Sequence, residues 1–208
     1  MTRWRLLDTG ARDGAWNMAC DVALMARARR TGESVFRVYA WSSPTLSFGR
    51  HEAARGRYDA AAIAAAGVDV VRRPTGGRAL LHDREVTYSV TAPVDPAVSL
   101  PASMRRINQL LLRTLHRLGV PAIEADEPRS MRPEGAACFA VPVPGELTLG
   151  ARKLVGSAQV RQDGALLQHG SILLDDDQSR IAAFAVGPYL SAAPAATALP
   201  SLLPPASV

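Results

Sequence analysis

The sequence predicts an α+β domain in which helices pack on a mainly antiparallel sheet. Helix-like and strand-like segments are interleaved without the regular alternation of a doubly wound fold. Glu146 to Leu174 reads as an antiparallel meander, with turn residues at Gly150-Ala151 and Asp163-Gly164. The 208 residues are 48% hydrophobic and 21% charged, enough for one domain to bury a core without staples.

In chain order, Trp4 to Leu7 reads as a short strand. Gly14 to about Arg30 reads as a helix with Met18, Val22 and Met25 on one face. Val35 to Ala40 is β-branched and aromatic, a second strand. Pro44 breaks the chain before a strand from Thr45 to Phe48. Tyr58 to Ala66 is an alanine-rich helix stopped by Gly67, and Val68 to Val71 a strand. Glu85 to Val90 is another strand. Pro101 opens the clearest helix, carried by Met104, Ile107, Leu111, Leu115 and Leu118 and ended by Gly119. A long loop then leads to Cys138, and loops of that length in a compact domain are usually functional or mobile. The boundaries expected are a catalytic domain over residues 1–190 and an Ala/Pro-rich tail over 191–208.

Composition excludes several classes. No apolar run approaches the roughly 20 residues that span a bilayer. The N-terminus carries no signal-type apolar core. The expectation is a soluble cytoplasmic protein with no membrane partner. The net charge is +5, but the arginines are scattered and no nucleic-acid motif is present. A basic surface equally suits acidic protein partners. Cys20 and Cys138 read as free thiols in a reducing compartment.

Of 24 basic residues one is a lysine, Lys153. Arginine does not deprotonate in proteins, whereas a desolvated lysine can. Composition leaves two readings open, a chance survivor on a hairpin and a group kept for its proton. Arg72-Arg73-Pro74-Thr75-Gly76-Gly77-Arg78 is equally open. Adjacent glycines permit close backbone approach to an oxyanion, with arginines as charged donors, or they make a plain turn. Gly156-Ser157-Ala158 marks a strand against which something packs closely. His169 is either an acid–base group or a core histidine.

Together these segments resemble the lipoate ligase, biotin ligase and octanoyltransferase superfamily. The resemblance rests on Asn17-Met18-Ala19 with Asp21; on Trp41, Pro44, Thr45 and Ser47; and on Arg72-Arg73 through Gly76-Gly77-Arg78 to His82-Asp83 and Thr87-Tyr88-Ser89. Gly156-Ser157-Ala158-Gln159 and Gln168-His169-Gly170 complete it. Cys138-Phe139, Glu146-Leu147 and Arg152-Lys153-Leu154-Val155 make it similar to one branch, the cysteine–lysine octanoyltransferases of the LipM type. Glu52 departs from the glutamine often found there, and Val143-Pro144-Gly145 from a more polar stretch.

The resemblance implies a mixed, mostly antiparallel sheet with flanking helices, of the class II synthetase and biotin-ligase kind. It implies that Cys138 carries the acyl group and Lys153 is its catalytic partner. Arg73, Gly76, Gly77, Arg78, His82, Gly156, Ser157, Ala158, His169 and Gly170 would line the substrate slot. Cys20, on the first helix, reads as packing. The reaction implied is octanoyl transfer from acyl carrier protein, through an acyl-cysteine thioester, to a lysine of a lipoyl domain or a glycine-cleavage H-type protein. No metal or cofactor is called for, and a monomer is expected. The alternatives are the catalytic subunit of an ATP-dependent lipoate–protein ligase, a lipoyl amidotransferase, and a non-catalytic module that binds the acyl group or a lipoyl domain. The lack of a C-terminal accessory domain argues against a complete ATP-dependent ligase.

Overall fold

The computed structural model describes residues 4–125, 146–150, 152–175 and 178–187. Cys138 and the 191–208 tail lie outside these residues.

The expected α+β architecture is present. A seven-stranded sheet runs in the order β1-β2-β6-β10-β9-β8-β7. Its strands are β1 (Trp4–Arg12), β2 (Ser34–Trp41), β6 (Glu85–Pro93), β7 (Ile123–Glu124), β8 (Leu147–Leu149), β9 (Arg152–Gln162) and β10 (Ala165–Leu173). Only the β1–β2 pair within it is parallel. The predicted meander is β8-β9-β10, turned at Gly150 and at Asp163-Gly164, all three with positive φ. A second sheet, ordered β4-β3-β5, contains β3 (Thr45–Phe48), β4 (Asp69–Arg72) and β5 (Leu80–His82).

Helix α1 (Gly14–Thr31) starts where the Asp13 carboxylate accepts the Trp16 N–H at 2.7 Å, and stops at Gly32 with φ 70°. α3 (Leu100–Arg117) is capped by Ser99, with Pro101 in its first turn. The two helices cover opposite faces of the sheet. Leu166 of β10 packs in a core with Ile107, Leu111 and Leu115 of α3. Its neighbour Leu167 packs with Met25 and Ala28 of α1. The small sheet has its own core, in which Leu46, Phe48 and Leu81 meet Ile63 of α2 (Ala60–Ala65) and Ile181 and Phe184 of a 3₁₀ helix (Gln178–Phe184).

Three expectations need correction. Val22 is 45% exposed, and the buried stripe of α1 is Gly14, Asn17, Met18, Asp21, Met25 and Ala28. The stripe turns about one residue from the apolar reading because buried Arg37 of β2 takes Asn17 and Asp21 as partners. The second helix begins at Ala60, since Asp59 is its cap and accepts the Ala61 and Ala62 N–H groups. The fourth strand starts at Asp69, after the Gly67 stop.

Candidate active site

The two sheets meet along a seam, and polar side chains from both fill it. At the seam β5 turns directly into β6, bringing His82 and Glu85 together. His82 stacks on the Trp41 indole, with ring centroids 4.0 Å apart and planes 16° apart. Its Nδ1 lies 2.8 Å from Glu85 Oε1, and its Nε2 lies 2.6 Å from Ser47 Oγ. Burial pushes the His82 pKa down against the pull of Glu85. Burial acts on Glu85 in the opposite sense, but His82, Thr87 and Ser171 outweigh it and hold the carboxyl below its usual range. The neutral imidazole therefore donates Nδ1–H to the Glu85 carboxylate and accepts the Ser47 hydroxyl. Ser47 Oγ in turn accepts an Arg73 N–H at 2.6 Å.

A parallel relay runs through His169. Its Nδ1 lies 3.1 Å from Asp21 Oδ2, and its Nε2 lies 2.7 Å from Thr75 Oγ1. The Asp21 carboxylate also accepts Arg37 Nη1–H at 2.8 Å and the Ser89 hydroxyl at 2.7 Å. Burial would raise the Asp21 pKa, but His169, Arg37 and Ser89 together hold it below normal. The fully buried Arg37 also lies 3.8 Å from the Tyr39 ring centroid.

Both relays end on the loop between β4 and β5. Thr75 belongs to it. The buried Arg73 guanidinium donates to the Ser47 carbonyl at 2.8 Å, to the Arg78 carbonyl at 2.8 Å and to the Gly76 carbonyl at 3.3 Å. Arg73 thus holds the Gly-Gly loop in shape. Gly77 has φ 102°, and its carbonyl oxygen would stand 1.8 Å from a Cβ built on Gly49. The loop comes this close to the chain itself. Gly76, Gly77 and Arg78 are exposed on it.

Between the relays and β9 lies a mostly apolar cleft. Of the expected slot residues, Arg73, His82, Gly156, Ser157, Ala158, His169 and Gly170 line it, joined by Met18 and Trp41. Gly170 is glycine for space, because a Cβ there would meet the Gly156 carbonyl at 2.5 Å and Tyr88 Cε1 at 2.7 Å. The Tyr88 hydroxyl sits 2.7 Å from Ser157 Oγ, and burial pushes its pKa up to about 12.

Lys153 sits on β9 three residues before Gly156 and outside the cleft lining. It is 2% exposed, and its Nζ is 2.6 Å from Glu146 Oε1. The β8–β9 register shifts between Leu147 and Thr148, so Thr148 opposes Lys153 while Leu147 opposes Val155. Such a bulge re-aims a side chain, and here Lys153, Leu154 and Val155 are all buried in succession. Cys20 is half-buried on α1, and burial raises its thiol pKa and so disfavours the thiolate, outweighing the opposite pull of Arg37.

Sequence reading missed the roles of Glu85, Ser47, Thr75, Gly49 and Glu146. Four of these lay in view: Glu85 follows His82 by three residues, and Ser47, Thr75 and Glu146 stand inside the segments that carried the resemblance.

The two sheets thus form a narrow apolar cleft flanked by a glycine loop, with a buried lysine on the adjoining strand. Residues 13–196 match the lipoyl protein ligase A/B catalytic domain, and the chain belongs to that family. It is 48% identical over 187 residues to octanoyltransferase LipM of Kyrpidia tusciae, covering 85% of this chain and 68% of that protein. It is 45% identical over 186 residues to octanoyltransferase LipM of Symbiobacterium thermophilum, covering 85% and 67%. The chain spans about two thirds of the length of these curated relatives. In structure it is similar to Ta0514, a putative lipoate protein ligase from T. acidophilum, with TM-score 0.78 and 21% identity over 98% of this chain and 78% of the other. A lipoate-protein ligase A bound with ATP gives 0.72 and 23% identity over 90% and 72%. At such identities the structural likeness speaks to the fold alone.

Proposed function

We propose that the chain catalyses octanoyl transfer in lipoate biosynthesis, from acyl carrier protein to a lysine of a lipoyl-accepting protein. The observation that carries this reading is the 48% identity to an octanoyltransferase across most of the chain. The donor thioester is already activated, so a thiolate attacks it without adenylation. The Cys138 sulfur adds to the octanoyl carbonyl and the carrier's thiolate leaves with a proton. The acceptor lysine then adds to the acyl-cysteine, loses a proton, and expels the Cys138 thiolate. Lys153 handles the proton in both steps.

The cleft supports the acyl part of this reading. Gly156 lies roughly 10 Å along the strand from Lys153. A chain whose carbonyl sits beside Lys153 can run down β9 toward the cleft lined by Gly156, Ala158 and Gly170. Each buried CH₂ contributes about 0.8 kcal/mol, so depth measures chain length. Both expected protein partners are typically acidic, which the +5 net charge favours.

The test is incubation with octanoyl-acyl carrier protein in the absence of ATP, read by intact mass. An octanoyl adduct forms on the wild-type chain and is absent from Cys138→Ala. An adduct that persists in that variant, or transfer that requires ATP, sinks the reading.

A further inference from the structure

Glu146 is 6% exposed, and its carboxylate is directed at the only lysine of the 208 residues. Two buried charges of opposite sign at 2.6 Å form a charge-assisted hydrogen bond that water does not screen. Isolated, each charge would be costly to bury. The backbone of Glu146 is pinned too. Its carbonyl accepts the Ala125 N–H at 2.7 Å, so the chain leaves and re-enters the described fold side by side at this residue. Cys138 lies in the stretch between. The other charged side chains on these strands are Glu124 of β7, which accepts from Gln109 at 2.8 Å, the exposed Arg152 of β9, and Arg161 at the far end of β9, which donates to Ser103 Oγ at 3.1 Å.

We propose that Glu146 is the positioning residue of Lys153, holding its Nζ by a buried ion pair beside the base of the stretch that carries Cys138. This rests on Lys153 being the proton-handling group proposed above. A lysine has four rotatable side-chain bonds, and an amine that must meet one thiol needs that freedom removed. The β8–β9 bulge sets the direction of the side chain, and the carboxylate fixes its tip. In this role Glu146 is a positioning group and not a reacting one. It acts through Lys153, which has a proton to receive or give only at the place the carboxylate keeps it.

The single lysine makes the test direct. With [ζ-¹⁵N]lysine incorporated, the 208-residue chain contains one labelled side chain. An ammonium protected by an ion pair gives a proton–nitrogen cross-peak, whereas one open to solvent exchanges its protons too fast. We expect the cross-peak in the wild type, its loss in Glu146→Gln, and a displaced, weaker peak in Glu146→Asp. We expect octanoyl transfer to slow about tenfold or more in Glu146→Gln through kcat. KM for octanoyl-acyl carrier protein should stay within about twofold. Glu146→Asp should recover part of the rate. A cross-peak and kcat unchanged in Glu146→Gln overturn the proposal. If that variant does not fold, Glu146→Asp decides, and a wild-type peak and rate there overturn it as well. Lys153→Arg run alongside separates the two claims. Normal turnover in Lys153→Arg removes the acid–base role of Lys153, while an inactive Lys153→Arg with an indifferent Glu146→Gln removes only the role of Glu146.

Discussion

At the scale of single residues, the glycines divide by what lies where a Cβ would be. Gly76 has open space, whereas a Cβ on Gly49 would stand 1.8 Å from the Gly77 carbonyl oxygen and 2.7 Å from its carbon. These neighbours are backbone, so no side chain can swing aside. Gly49→Ala must displace the loop that Arg73 and Thr75 fasten. We expect it to destabilise by about 1–3 kcal/mol, as overpacking does. Gly76→Ala should stay within about 0.5 kcal/mol. Urea denaturation of both variants checks the contrast, and equal midpoints would refute it. The sequence shows the Gly-Gly pair plainly but not its purpose. The close approach made by Gly77 is to Gly49, nearly thirty residues earlier, and only the pairing of β3 with β4 and β5 brings them together.

At the scale of elements, α1 and β2 are joined by charge where an apolar pattern was expected. Periodicity counts apolar residues, so it found Met18 and Met25 and added Val22. It had no way to count Asn17 and Asp21, whose burial depends on Arg37 across the interface. The helices and the meander were legible because caps, glycines and apolar spacing are local signals. β5 and the 3₁₀ helix were not, since three-residue strands and short 3₁₀ segments are fixed by tertiary contacts such as Gln178 bonding both the N–H and the carbonyl of Leu81. Gly156, Ser157 and Ala158 of the cleft stood out in the sequence through their small side chains, while His169 and Gly170 of β10 entered through the resemblance. The His169 relay was not, because Asp21 and His169 are 148 residues apart. The buried pair gives a prediction. Asp21→Asn leaves the Arg37 charge without its carboxylate and should cost about 3–5 kcal/mol. Asp21→Leu combined with Arg37→Met should cost less than the sum of the two single changes, since neither charge is then stranded. Denaturant midpoints for the cycle decide it, and strict additivity would mean the two side chains act independently.

At the scale of the whole molecule, the two relays tie the large sheet to the small one through buried ionisable groups, so the fold must answer to pH. His82 has a folded pKa below its ordinary 6.5, because burial disfavours the imidazolium. The unfolded chain therefore binds more protons at this site as the pH falls past 6.5. Its stabilising contribution is complete above that value and is lost as the pH drops toward the folded pKa. Asp21 and Glu85 are also held below their ordinary values of 3.8 and 4.5. Their contributions are complete above those values and are lost as the pH falls through the lowered ones. All three shifts have the same sign, so acidification destabilises in two stages, first below 6.5 and then below about 4.5. Thermal midpoints measured from pH 8 to pH 3 should be flat above 7, decline through the first window and fall steeply in the second. His82→Gln, which retains a hydrogen-bonding amide but cannot take a proton, should remove the first stage and reduce the Glu85 part of the second, leaving that of Asp21. A wild-type midpoint that holds steady from pH 8 to pH 5 would mean that the seam is not where the molecule's acid sensitivity lies.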